Sequence, residues 1–228
     1  MLCIAVHTGI KATGKIPIPA LNKELKAVQE TDSQSTRLFK NDVMESLTHV
    51  HPIVPLLMWS PIAAWLLWRT LFVQELPFDS VLIVACVAFV AWTLTEYTVH
   101  RFVFHFPARS RIGKWLVHLF HGVHHDAPRD ATRLLMPPAG SIMLMALFLM
   151  FFRIFVPAMW FEPFCAFFIV GYLVYDYIHY ATHFLPMRSA LPRLIKKHHM
   201  QHHFTDSNRY YGVSSPLWDS VFKTGSRL

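Results

Sequence analysis

Apolar positions in this chain gather into four long runs, near 53–73, 81–99, 136–156 and 161–180, with polar and charged segments between them. Each run holds about 20 residues, the length at which a helix crosses a hydrocarbon core of about 30 Å. The pattern therefore predicts about four transmembrane helices arranged as two hairpins. The first run carries Trp59, Trp65 and Trp68, which suit an interfacial belt, and Arg69 near its end can reach the headgroups. Arg153 near one end of the third run, and Asp176 and His179 in the fourth, predict that one or more of these helices tilts, breaks or re-enters. Residues 1–50 read as a polar tail, mobile or lying on the surface, and residues 51–228 as one integral-membrane domain.

Composition agrees with a bilayer setting. Hydrophobic residues make up 54% and charged residues 15% of 228 positions, and mean hydropathy is +0.34. An ordinary soluble domain is less apolar. The net charge of +7 does not point to nucleic acid, because the basic residues lie between apolar runs. Arg101, Arg109, Arg111, Lys114, Arg129 and Arg133 fill the middle loop, and seven Lys and Arg follow residue 185. The two short links carry Glu75, Asp79 and Glu162 instead. Positive loops stay in the cytosol, which places both termini and the middle loop there. Arg133, ahead of LLMPP, reads as one of these topology charges, a lipid headgroup contact being its other reading. Three cysteines predict no disulfide framework, and Met1–Ile10 has no secretory-signal pattern.

Fifteen histidines are present, twelve of them between 100 and 203. They form four clusters: His100 and His105; His121, His124 and His125; His179 and His183; His199, His202 and His203. All four fall on the side that the basic loops assign to the cytosol. Helical positions i, i+3 and i+4 share a face, so three of the clusters can present converging imidazoles. His100 and His105 would point about 140° apart on an ideal helix. Their convergence requires a bulge, a helix end or two metals to straddle. Neutral imidazole suits iron, zinc, copper and nickel, and ten such ligands suit two neighbouring ions. His7, His49 and His51 read as surface or satisfied core residues, and His118 and His198 as packing or supporting positions.

The boxes HRFVFH, HGVHH, HYATH and HMQHH resemble those of the fatty acid hydroxylase/sterol desaturase superfamily in type, order and spacing, over about 80–228. Within it the chain is most similar to the fatty acid 2-hydroxylases, through EYTVHRFVFH at 96–105, HGVHHDAPRDATRLLMPP at 121–138 and YDYIHYATH at 175–183. The resemblance implies an all-α membrane protein with a cytosolic helical cap around a di-metal site. Its implied ligands are His100, His105, His121, His124, His125, His179, His183, His199, His202 and His203. The implied cofactors are two metal ions, iron by function, with zinc compatible with the same donors. Glu96 and Asp176, each one turn before a histidine, are expected to hydrogen-bond a ligand imidazole and fix its tautomer.

The implied reaction is O2-dependent 2-hydroxylation of the acyl chain of a fatty acid or a sphingolipid/ceramide. Some members carry a fused cytochrome b5 domain with an HPGG loop; here His51-Pro52 is followed by Ile53. The expectation is an external electron donor such as cytochrome b5 or a ferredoxin-type reductase system. The membrane would be the endoplasmic reticulum in a eukaryote or the inner membrane in a bacterium. Sterol desaturation or C-4 methyl oxidation, carotenoid hydroxylation and ether-lipid cleavage use the same kind of site. A non-catalytic metal-binding membrane protein or transporter is the reading from a different class.

Overall fold

The computed structural model of the chain describes residues 37–225. Its helices are α1 (Asp42–Ser46), α2 (Ile53–Trp68), α3 (Phe78–Val99), α4 (Arg111–Val117), α5 (Val123–Asp126), α6 (Pro138–Phe152), α7 (Ala158–Phe184), α8 (Ala190–Phe204) and α9 (Leu217–Val221). Among the described residues there is no strand. Five of these helices follow a proline, Pro52 before α2 and Pro216 before α9 among them, and proline fixes φ and needs no partner for a missing N–H. Pro77 and Pro157 cap α3 and α7, while Pro137 and Pro138 open α6.

Three π-helical turns extend these elements: Arg69–Val73 after α2, His100–Phe104 after α3 and His118–Gly122 between α4 and α5. With them, Ile53–Val73, Phe78–Phe104 and Ala158–Phe184 are long and apolar enough to cross a membrane. The third apolar run becomes the shorter α6. Its 15 residues reach about 22 Å at 1.5 Å per residue, less than a hydrocarbon core. Leu57, Ile83 and Ile154 are among many large apolar side chains facing outward, as on a lipid-facing surface.

Helix α7 lies centrally and packs on both α2 and α3. Trp59 and Ala63 of α2, Ala88 and Trp92 of α3 and Phe168 and Tyr172 of α7 share one core. A Cβ built on Gly171 would lie 2.7 Å from Cγ of Trp92, so glycine is what lets α3 and α7 come this close. At one end of the bundle Arg69 donates to both Glu162 oxygens at 2.9 Å. At the other, the Tyr177 hydroxyl donates to the Pro52 carbonyl at 2.7 Å. Helix α2 therefore runs antiparallel to α7, and the histidines lie at the Pro52 end.

Residues 1–36 of the expected polar tail, with Cys3 and His7, lie outside the described residues. Residues 37–50 join the domain instead of trailing from it. Val50 is buried against Leu134 and Leu135. The Glu45 carboxylate accepts from the backbone of Leu38 and Phe39 and pairs with Arg133.

Candidate metal centre

The ends of α3 and α7, the α4–α5 segment and α8 bring ten histidines together in two groups of five. His100, His105, His121, His125 and His202 form one; His124, His179, His183, His199 and His203 form the other. Within each group the candidate ligand nitrogens all lie within 4.8 Å of one another. These are the ten histidines of the four boxes.

The π turn at His100–Phe104 resolves the five-residue spacing. The His105 N–H donates to the His100 carbonyl at 3.1 Å, an i to i+5 bond that puts both rings on one side. The i, i+4 pairs His121/His125, His179/His183 and His199/His203 each stay within one group. Adjacent residues do not. His124 and His125 separate into different groups, as do His202 and His203.

Contacts inside the groups run Nε2 to Nε2. His121 lies 2.9 Å from both His100 and His125, and His202 lies 3.0 Å from His105 and 3.2 Å from His125. In the other group His199 lies 2.8 Å from His183 and 3.1 Å from His203, with His124 and His203 at 3.1 Å. Two nitrogens bound to one ion at about 2.0–2.1 Å and a right angle are separated by about 2.9 Å. The buried Nε2 of His179 has no hydrogen-bond partner. Converging nitrogens and an orphaned lone pair fit metal ions of the borderline class.

For His100 and His202 the tautomer is set from outside the groups. His100 Nδ1 donates to the Tyr211 carbonyl at 2.5 Å and His202 Nδ1 to the Arg209 carbonyl at 2.7 Å, leaving both Nε2 lone pairs free. Burial, then the neighbouring His202, pushes His105 down to about 3. Burial likewise takes His202 to about 4, against the raising influence of the Arg209 carbonyl. Burial and like neighbours also lower His121, His124, His125, His199 and His203. These imidazoles are neutral at physiological pH, the form that ligates metal.

Of the two expected imidazole partners, Glu96 is engaged elsewhere. Glu96 accepts from the backbone N–H of Val213 and Ser214 at 2.7 and 2.8 Å and from the Ser214 hydroxyl at 2.5 Å. It pins the C-terminal segment to α3 and forms no hydrogen bond to an imidazole. Asp176 is buried, with Oδ2 unpartnered, in the cavity that also reaches His179. His118 faces Asp126 at 2.8 Å and His198 faces Asp219 at 2.9 Å, both outside the two groups. Sequence reasoning missed Asp219. It accepts from the backbone of Tyr211 and Gly212 and from Thr224, and so holds the loop whose carbonyls orient His100 and His202.

A single cavity runs from this centre between α3, α6 and α7. It touches His121 of one group and His179 of the other, and its walls include Leu134, Leu135, Met145 and Phe148.

Fold and site together define an all-helical membrane protein built around paired histidine groups suited to metal. The model of the family described as fatty acid hydroxylase matches residues 85–224, and the chain belongs to that family of oxidoreductases. It is 33% identical over 193 residues to a dihydroceramide fatty acyl 2-hydroxylase of Arabidopsis thaliana, covering 84% of this chain and 80% of that protein. It is also 33% identical over 218 residues to a fatty acid 2-hydroxylase of Rattus norvegicus, covering 86% of this chain and 58% of that one. A solved structure of full-length Scs7p, with only the hydroxylase domain visible, superposes with a TM-score of 0.76 at 32% identity, covering 81% of this chain and 70% of that one.

Proposed function

We propose that this chain is a membrane-bound monooxygenase that hydroxylates carbon 2 of the acyl chain of a fatty acid or a sphingolipid/ceramide. The overall reaction consumes O2, two electrons and two protons per hydroxyl formed and releases water. Electrons come from a separate donor such as cytochrome b5 or a ferredoxin-type reductase system. The printed names of the plant and rat relatives support the chemistry. The observation that carries the reading is the apolar cavity that meets one histidine from each group.

His100, His105, His121, His125 and His202 would hold one ion, and His124, His179, His183, His199 and His203 the other. Iron held there would supply the O2 reduction and attack on an unactivated C–H bond that side chains cannot perform. The chain's own part is threefold. Leu134, Leu135, Met145 and Phe148 receive the hydrocarbon and keep water out. The Tyr211 and Arg209 carbonyls hold two imidazoles in the ligating tautomer. Buried Asp176, beside His179 in the cavity, is placed to carry a proton to or from the centre.

The basic segments 101–133 and 188–209 lie in the connections that surround the histidines, so the helical cap faces the cytosol. Helix α6 then forms the outgoing arm of a second hairpin whose return is α7. The membrane is the endoplasmic reticulum in a eukaryotic host and the inner membrane in a bacterial one.

Mass spectrometry of total lipids tests the reading, using cells that express the chain or its His124→Ala/His125→Ala variant with a donor system. New 2-hydroxyacyl lipids that vanish in the variant are expected. An unchanged acyl profile beside altered sterols or carotenoids would transfer the assignment to those substrates.

A further inference from the structure

Arg133 lines the cavity that reaches the histidines, and its side chain is 1% exposed. It is the one Lys or Arg among the described residues lining that cavity. Its partners use only one edge of the guanidinium. Nη2 donates to Glu45 and to His49 Nε2, the latter at 3.0 Å. The direction of the second bond follows from Thr132. Its hydroxyl donates to Asp130 at 2.7 Å, so it must accept from His49 Nδ1 at 2.6 Å, leaving His49 Nε2 as an acceptor. Nη2 has therefore spent both protons. Nη1 and Nε are buried and have no hydrogen-bond partner, although Nε lies 3.7 Å from an Asp130 oxygen.

A buried donor without an acceptor is costly, so such a group in a cavity wall marks where a ligand brings an acceptor. Of the other hydroxyls in the cavity wall, Thr95 donates to Ala91 and Ser141 to Pro138, while the unpartnered Tyr172 hydroxyl lies beside Asp176. Any acyl chain oxidised next to its carbonyl must carry that carbonyl oxygen into the same cavity as the reacting carbon.

We propose that Arg133 is a positioning residue whose Nη1 donates to the acyl carbonyl oxygen, with Glu45 and His49 of the 37–50 segment clamping its other edge. The subsite selects a lipid that has a carbonyl at the head of its chain. It also sets which carbon faces the histidines, because the chain is then anchored at a fixed point rather than sliding. The inference rests on the acyl-hydroxylase reading, and binding tests it independently of turnover.

The experiment compares hexadecanamide, hexadecanoate and hexadecane as ligands of the purified full-length chain in detergent. Wild type should bind a carbonyl-headed probe at least about 10-fold tighter than the hydrocarbon; tightest binding by either the amide or the acid supports the subsite and identifies the head. Arg133→Lys keeps a cation for Glu45 but loses the Nη1 fork, and should cut that preference to about 3-fold or less with melting temperature and metal content retained. Glu45→Gln leaves the fork in place and should retain the preference while lowering melting temperature. No preference in wild type overturns the proposal without recourse to any variant. So does an unchanged preference in Arg133→Lys, or an equal loss in both variants. Product position, read on the same preparations, should spread from carbon 2 to neighbouring carbons in Arg133→Lys; hydroxylation confined to carbon 2 there counts against the anchor. A missing 2-hydroxy product from wild type with the binding preference intact would overturn the catalytic reading and support the subsite.

Discussion

His100 points its Nδ1 at the backbone carbonyl of Tyr211, 2.5 Å away across 111 residues of chain. A backbone carbonyl accepts but never donates, so it fixes the imidazole tautomer without a titrating partner. Its own position depends on Asp219, which accepts from Tyr211 N at 2.9 Å, Gly212 N at 2.6 Å and His198 at 2.9 Å.

Asp219→Ala should therefore loosen metal binding although Asp219 belongs to neither histidine group. Outer partners of ligand histidines typically contribute about 10–100-fold in metal affinity. Chelator competition followed by elemental analysis measures this. Retention equal to wild type would mean that the 209–212 loop holds its shape unaided.

Gly171→Ala should destabilise the bundle by about 1–3 kcal/mol, the usual range for overpacking. The added methyl would sit 2.7 Å from Cγ and 2.8 Å from Cβ of Trp92, and Trp92 is packed against Phe168 and Tyr172. Thermal unfolding in detergent reads the change, and an unaltered midpoint would show that α3 and α7 can part at little cost.

An alanine inserted between Val103 and Phe104 should abolish the contribution of His105. One extra residue turns it by about 100° relative to His100, breaking the 3.1 Å bond between the His105 N–H and the His100 carbonyl. The expected result is loss of metal and of product with helix content by circular dichroism retained. Full metal content would mean that the turn adapts its pitch.

The metal-free protein should lose stability as pH falls below about 6.5, the unperturbed imidazole value. Burial holds His105 at about 3 and His202 at about 4 in the folded state. Their folded values lie below the unfolded one, so the unfolded chain binds more protons in the window between them. The contribution is complete above about 6.5 and is lost as pH falls towards 3–4. Melting temperatures of chelated protein between pH 8 and 5 should decline, and a flat profile would contradict the assigned burial.

Much of the fold was readable because membrane-length apolar runs declare themselves locally. The first, second and fourth runs correspond to α2, α3 and α7. The third was overextended: Arg153 caps α6 and Pro157 opens α7, so the apolar residues between them do not continue the helix. The histidine boxes were readable from spacing, but not the division between groups, since i, i+3 and i+4 lie on one face and only the opposing helices choose among them. Glu96 shows the same limit. One turn before His100 it looked like an imidazole partner, yet the 213–214 backbone, 117 residues away, claims its carboxylate. Carbonyl partners such as those of Tyr211 and Arg209 have no signature in residue type at all.

Twice in this chain, at His124/His125 and His202/His203, a single peptide bond joins the two histidine groups. A peptide unit is rigid, and moving one of these residues drags its neighbour. A backbone shift at one pocket is therefore passed to the other. Filling of the two pockets should thus be coupled, with half-filled protein scarce whenever metal is limiting.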